Sequence, residues 1–436
     1  MHLIKRNLAN RHTRRSLLAD ASLLAGGLLL PAALRGEPSS ASATAAPTAP
    51  TAAPQGPPAP SAYPQPATNP YPYFGISGAG YPVVEASCHG GYRSGSSGLA
   101  YQGIHPYPFP TLPWDNYSTG SAVASGILPA IKPLIDVQVR DTIVCHGGDG
   151  NFYLTGSTGE NIWAYNRGVE LWKSPDLVHW QYLGLVWDID KEGTWEKAWR
   201  DLHGKPCRAI WAPELHYLRG NYFICLSIAP TGISILKSTS GKPEGPYVHA
   251  FSPNEPIVRG IDPTLFEDSD GTVYFTYAGA NKIARMNDDL SGLAEEFRPV
   301  VLADPDHTPS HHAARCTARG SNDFGTEGAV LFKADGRYYL GAADEYEGRY
   351  STCLGISDTV YGPYRSRHES VPCGGGTGFF QGRDGGWWSS FFGNDTQSPF
   401  REKPAIVKVD FDAQGKVVVA AKQPFVHGWK PTPVAS

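Results

Sequence analysis

Asp149-Gly150-Asn151-Phe152-Tyr153 reads as a β-hairpin: a turn-forming acid, a glycine that tolerates positive φ, then an aromatic run suited to a strand. The chain writes the pattern four more times, as Arg219-Gly220-Asn221-Tyr222-Phe223, Asp270-Gly271-Thr272-Val273-Tyr274, Asp335-Gly336-Arg337-Tyr338-Tyr339 and Asp384-Gly385-Gly386-Trp387-Trp388. Each copy runs on as a strand, for example Ile224-Cys225-Leu226 and Phe275-Thr276-Tyr277. The glycines stand 70, 51, 65 and 49 residues apart. A four-stranded propeller blade takes roughly 40–50 residues, so two intervals carry insertions. A second echo follows three copies, in Ser174–Trp180, Ser238–Tyr247 and Ser357–Tyr364, and marks the outer strand and turn of a blade. The repeat predicts an all-β fold, a five-bladed β-propeller, over an unrelated β-sandwich with ordinary hairpin turns.

In a propeller the first strand of each blade lines a central channel, where convergent polar groups are held rigidly. Acids just ahead of the hairpins are therefore the candidates. Asp141 precedes Thr142-Ile143-Val144, Asp262 precedes Pro263-Thr264-Leu265-Phe266, and Glu327 precedes Gly328-Ala329-Val330-Leu331-Phe332. Each stands nine residues before its hairpin glycine (141 to 150, 262 to 271, 327 to 336). The equal offset predicts equivalent points on three blades, all facing the channel mouth. Glycoside hydrolysis needs one carboxylic acid to protonate the leaving oxygen and one carboxylate to activate water or attack the sugar. A third carboxylate nearby can keep the acid protonated near neutral pH.

These segments resemble the family-43 glycoside hydrolases, five-bladed propeller enzymes, over about residues 136 to 420. The resemblance implies Asp141 as general base, Asp262 in Ile261-Asp262-Pro263 as pKa modulator, and Glu327 in Glu327-Gly328 as general acid. It also implies inversion at the anomeric centre. Trp211-Ala212-Pro213-Glu214 matches a further family segment, and Trp211, Glu214 and Arg140 are candidates for substrate binding. A buried strand Trp and a blade-closing hydrogen-bond acceptor are the alternatives for Trp211 and Glu214. The chain departs from the family twice. Thr142 follows the base where Pro is usual, and Cys373-Gly374-Gly375-Gly376-Thr377 replaces a Gly-His segment of the fifth blade. That His often helps hold water or calcium at the channel centre. With no Asp-rich calcium loop either, no cofactor is expected, and calcium is left as an alternative that the sequence does not support.

The implied substrate is a carbohydrate, with arabinofuranosides or xylosides of plant-type polysaccharides first. A galactofuranoside, galactan or algal glycan is the alternative on the same fold. A non-catalytic carbohydrate-binding propeller conflicts with retention of all three acids. A glycoside phosphorylase would need a phosphate pocket, for which Arg315, Arg319, His311 and His312 are the candidates. His307, His311 and His312 themselves read as a loop at the pocket rim, His146 as structural, and at most one of Trp387 and Trp388 should face the channel.

The remaining composition agrees. The 436 residues carry 11 Trp and 22 Tyr, suited to strands and to stacking on sugar rings, and the 49 Gly and 38 Pro imply many turns. Net charge is −4 with no basic cluster, so no nucleic-acid partner is expected. The seven cysteines are scattered, odd in number and without zinc-ligand spacing, and read as buried thiols. Residues 1–37 read as a twin-arginine-type signal peptide, with Arg14-Arg15 ahead of an apolar run from Leu17 to Leu34. Residues 38–70, rich in Pro, Ala, Ser and Thr, read as a disordered linker, and 71–130 as an irregular segment packing on the propeller of 131–436. Export to the periplasm or medium as a monomer, free of the membrane after signal removal, is the expectation.

Overall fold

The computed structural model describes residues 126–424, except 130, 132, 136, 159–165, 200–207, 229–231, 304–323, 347–348 and 394–402. The signal-type segment, the linker and almost all of 71–130 lie outside the described residues. So do Cys88, Cys207, His307, His311, His312, Arg315, Cys316 and Arg319.

All five hairpin glycines hold positive φ, between 74° and 81°, at the turn joining the first and second strands of a four-stranded antiparallel sheet. Blade 1 is β1 (Arg140–His146), β2 (Phe152–Ser157), β3 (Gly168–Ser174) and β4 (Gln181–Asp188). Blade 2 is β5 (Ile210–Leu218), β6 (Asn221–Ile228), β7 (Gly232–Ser238) and β8 (Tyr247–His249). Blade 3 is β9 (Pro263–Glu267), β10 (Val273–Tyr277), β11 (Lys282–Arg285) and β12 (Arg298–Pro299). Blade 4 is β13 (Glu327–Ala334), β14 (Arg337–Tyr346), β15 (Arg349–Ser357) and β16 (Arg365–Val371). Blade 5 is β17 (Gly374–Gln381), β18 (Trp387–Gly393), β19 (Pro404–Phe411) and β20 (Val417–Val419). The second echo falls where expected, on the turns from third to fourth strand.

The inner strands β1, β5, β9, β13 and β17 form a ring, each packing on the next and β17 on β1. Apolar residues on both faces of the blades fill the interfaces between them. Trp187 and Tyr153 of blade 1 pack with Leu215 and Ile224 of blade 2, and Phe223 with Phe275 between blades 2 and 3. Ile283 packs with Leu331 between blades 3 and 4, and Phe332 with Val407 between blades 4 and 5. Val144 and Trp172 meet Trp388 and Ile406 where blade 5 returns to blade 1. Each such fully buried large side chain contributes about 1.5–3 kcal/mol. The closing seam is also hydrogen-bonded: Ser390 Oγ donates to the Thr142 carbonyl at 2.7 Å.

Trp388 belongs to that seam, and Trp387 packs against Phe332 between blades 4 and 5. His146 stacks on Phe152 at 4.6 Å, a packing role. Cys145, Cys225, Cys353 and Cys373 are buried.

Candidate active site

Each inner strand begins with a bulge, and the bulges build the site. Arg140 pairs with Ser157 and Ile143 with Thr155, so Asp141 and Thr142 together oppose one residue. The same step occurs between Trp211 and Glu214, Glu327 and Val330, and Gly375 and Gly378. In blade 3 the Ala278 N–H reaches the carbonyls of both Ile261 and Asp262. One residue of each bulge is left-handed: Asp141 (φ 50°), Ala212 (44°), Asp262 (53°), Gly328 (67°) and Gly376 (56°). Asp tolerates this region better than most side chains, and Gly freely.

Glu327 is therefore not equivalent to the two aspartates, contrary to the expectation from equal spacing. The blade 4 residue matching Asp141 and Asp262 is Gly328, and Glu327 stands one residue nearer the start of its strand, level with Arg140 and Trp211. The cause is turn length. Blades 1 and 3 close their first hairpin with three residues, Gly148-Asp149-Gly150 and Ser269-Asp270-Gly271. Blade 4 uses two, Asp335 (φ 49°) and Gly336 (φ 78°), a type I′ turn between paired Ala334 and Arg337. A turn shorter by one residue makes the same count of nine reach one position further along the strand.

Contacts nonetheless tie the three acids into one cluster. Asp262 Oδ2 accepts the Gly328 N–H at 2.8 Å, next to Glu327. Gly328 approaches Gly376, and Gly376 lies so near Asp141 that a Cβ there would stand 2.8 Å from Asp141 Oδ1. Asp141 Oδ2 accepts the Ser157 hydroxyl at 2.7 Å, while Ser157 Oγ accepts the Ala212 N–H at 2.7 Å. Blade 1's carboxylate is thus fixed to blade 2's backbone. Glu327 Oε1 accepts the Tyr350 hydroxyl at 2.8 Å.

The electrostatics follow from crowding. Burial raises the Asp141 carboxyl above its ordinary value, against the pull of Arg140 and Ser157, and the charges of Glu327 and Glu214 raise it further. Burial, then Asp141 and Glu327, push Asp262 well above the carboxylate range, with the Gly328 N–H opposing. Asp262 is buried, whereas Asp141 and Glu327 are only half-buried. Such a cluster retains protons as a unit.

Arg140, Trp211 and Glu214, expected to bind substrate, are all buried in the blades. The Arg140 guanidinium lies over the Phe392 ring at 4.8 Å, and Glu214 Oε2 is 2.9 Å from His216 Nε2. The fifth-blade glycine run acquires a steric reason: a Cβ on Gly375 would fall 1.8 Å from the Tyr350 ring. The neighbouring Thr377 is buried and its hydroxyl is bonded to Thr352 Oγ1 at 2.9 Å. The segment therefore offers no imidazole or carboxylate where the family's His would stand, and no step is assigned to a calcium ion. Ser157 and Tyr350 escaped the sequence. They lie on β2 and β15, and no spacing rule aims those strands at an acid on β1 or β13.

Fold and site together define a class: five-bladed β-propellers with a three-carboxylate centre on their inner strands. The model of glycosyl hydrolases family 43 matches residues 130–417, and the chain belongs to that family. It is 28% identical over 214 residues to a xylosidase/arabinosidase of Butyrivibrio fibrisolvens, covering 48% of this chain and 38% of that protein. It is 26% identical over 216 residues to a β-D-galactofuranosidase of Aspergillus niger, covering 46% and 56%. To a non-reducing end α-L-arabinofuranosidase of Bacteroides ovatus it is 25% identical over 306 residues, covering 65% and 52%. The chain thus spans between two fifths and little more than half of these relatives. Among solved structures, the crystal structure of a GH43 enzyme from Xanthomonas citri complexed with xylotriose shares the fold, with a TM-score of 0.52. Its identity is 19% over 72% of this chain and 100% of that one.

Proposed function

We propose that the protein is an inverting glycoside hydrolase that removes arabinofuranosyl or xylosyl units from plant-type polysaccharides. The observation that carries this is the joining of Asp141, Asp262 and Glu327 by the Gly328 and Gly376 contacts into one partly open cluster. Asp141 is the general base: Ser157 orients its carboxylate, and the Arg140 charge favours its ionised form. Glu327 is the general acid, set one residue nearer the strand start, half-buried and steered by Tyr350. Asp262 is the modulator, buried beside Gly328 and near enough to Asp141 and Glu327 for the charges of the three to act on one another. Inversion is what the family resemblance implies, with Asp141 activating a water on the face of the sugar opposite Glu327.

The test is a panel of aryl glycosides, with arabinofuranoside, xyloside and galactofuranoside members, assayed with and without inorganic phosphate. Asp141→Asn and Glu327→Gln should each lower turnover by several orders of magnitude while the protein stays folded. Glu327→Gln should recover most on the best leaving group, which needs no protonation. Undiminished turnover of a poor leaving group by folded Glu327→Gln would remove it as the acid, and strict dependence on phosphate would make the protein a phosphorylase. The β-D-galactofuranosidase relative favours the galactofuranoside as the second substrate to try. We further propose export through the twin-arginine route as a monomer; retention of an Arg14→Lys, Arg15→Lys variant in the cytoplasm checks the route.

A further inference from the structure

Glu214 and His216 of β5 and Cys225 of β6 bring three metal-ligating atoms within 4.8 Å of one another, and they are the sole such trio among the described residues. The strand register explains it. Glu214 lies directly opposite Cys225, and His216 is two residues along the same face. His216 Nε2 stands 2.9 Å from Glu214 Oε2 and 3.5 Å from Cys225 Sγ. Around a tetrahedral zinc ion, with bonds of about 2.0 Å to nitrogen and oxygen and about 2.3 Å to sulfur, nitrogen stands about 3.3 Å from oxygen and about 3.5 Å from sulfur. The His–Glu contact needs to open by a few tenths of an ångström, the His–Cys contact already fits, and the Glu214 and Cys225 ligand atoms, within 4.8 Å of each other, close on the ion as it binds.

We propose that Glu214, His216 and Cys225 form a binding site for a zinc-class divalent cation between the inner strands of blades 2 and 3. The ligand chemistry is that of a borderline-soft ion, one carboxylate, one imidazole and one thiolate, leaving a fourth position for water. Charge favours occupancy. A carboxylate and a thiolate in a largely buried place bring two negative charges, and a dication cancels both. Binding releases the thiol proton, which in the metal-free protein is donated to the Pro263 carbonyl at 3.1 Å. The thiol and carboxylate are almost wholly covered, while the His216 side chain keeps 15% exposure and marks the way in. The site shares no residue with Asp141, Asp262 and Glu327, and it meets that cluster through the Glu214 charge, which acts on Asp141.

Cobalt(II) titrated into the reduced, full-length chain tests this, because a cobalt–thiolate bond produces an intense charge-transfer absorption. The expected result is one equivalent bound with that band, displaced by zinc. Cys225→Ser should abolish the band, His216→Gln should weaken binding at least about 100-fold, and Cys353→Ser should change neither. Unchanged thermal unfolding keeps the variants comparable. Absence of the band in folded wild-type protein, or its survival in folded Cys225→Ser, would overturn the proposal and leave the three as a hydrogen-bonded trio. Should Cys225→Ser not fold, His216→Gln decides: unweakened binding there overturns it equally.

Discussion

Replacing Gly376 by Ala should damage the base without touching it. A Cβ at this position would lie 2.8 Å from Asp141 Oδ1, 2.8 Å from Phe392 Cε1 and 3.0 Å from Asp141 Cα. The last of these is backbone and the ring is buried, so the Asp141 carboxylate is the group that gives way. Ordinary contact begins at 3.4 Å, which requires a shift of about 0.6 Å. Misplacement on the order of 1 Å can cost about 100-fold in rate, so a loss of about 10- to 100-fold in kcat is expected. The left-handed backbone, φ 56°, adds about 1–2 kcal/mol of strain for a residue with a Cβ. Overpacking adds about 1–3 kcal/mol, and the stiffer unfolded chain returns less than about 1 kcal/mol. Gly385→Ala is the control. It is left-handed too, φ 74°, but a Cβ there meets nothing within 4 Å, so it should lose about 1–2 kcal/mol and no activity. Both are read by urea unfolding and by kcat on good and poor aryl leaving groups; Gly376→Ala should lower kcat on both alike. Full activity and Gly385→Ala-like stability in Gly376→Ala would refute the close approach of blade 5 to Asp141.

Ser157→Ala removes a bond to the Asp141 carboxylate and orphans the buried Ala212 N–H, which should cost about 1–3 kcal/mol of stability. Because Ser157 favours the ionised form, its loss should also move the acid limb of the kcat/KM profile to higher pH. Asp262→Asn should inactivate the protein yet raise its melting temperature at pH 7. The Asp262 carboxyl is raised on folding, so it favours the native state only at low pH and that contribution fades as pH climbs through the folded value; the variant's stability should show a flatter pH dependence. His368 works in the opposite sense. Burial lowers it from 6.5 to about 4, while its Nε2 accepts the Val417 N–H and joins blades 4 and 5. Below pH 6.5 the unfolded chain takes up the proton first, so about 3 kcal/mol should be lost between pH 6.5 and 4, and His368→Gln should abolish that slope in urea titrations.

The sequence by itself determined the blades and the acids. Hairpin glycines must accept positive φ whatever surrounds them, so the signal at Gly150, Gly220, Gly271, Gly336 and Gly385 is local and survives without an alignment. Asp141, Asp262 and Glu327 were legible for a related reason, since each opens an apolar inner strand a fixed count before such a glycine. What that count could not carry was the difference between a two-residue and a three-residue turn. This shifts Glu327 by one position and separates it from the aspartates. Only the closed ring decided the rest. Ser157 reaches Asp141, Tyr350 reaches Glu327, and Gly375 and Gly376 make way for Tyr350 and Asp141 because blades far apart in sequence pack edge to edge. Glu214, His216 and Cys225 meet through cross-strand register. Such contacts depend on where strands lie relative to one another, and no single strand's pattern encodes that.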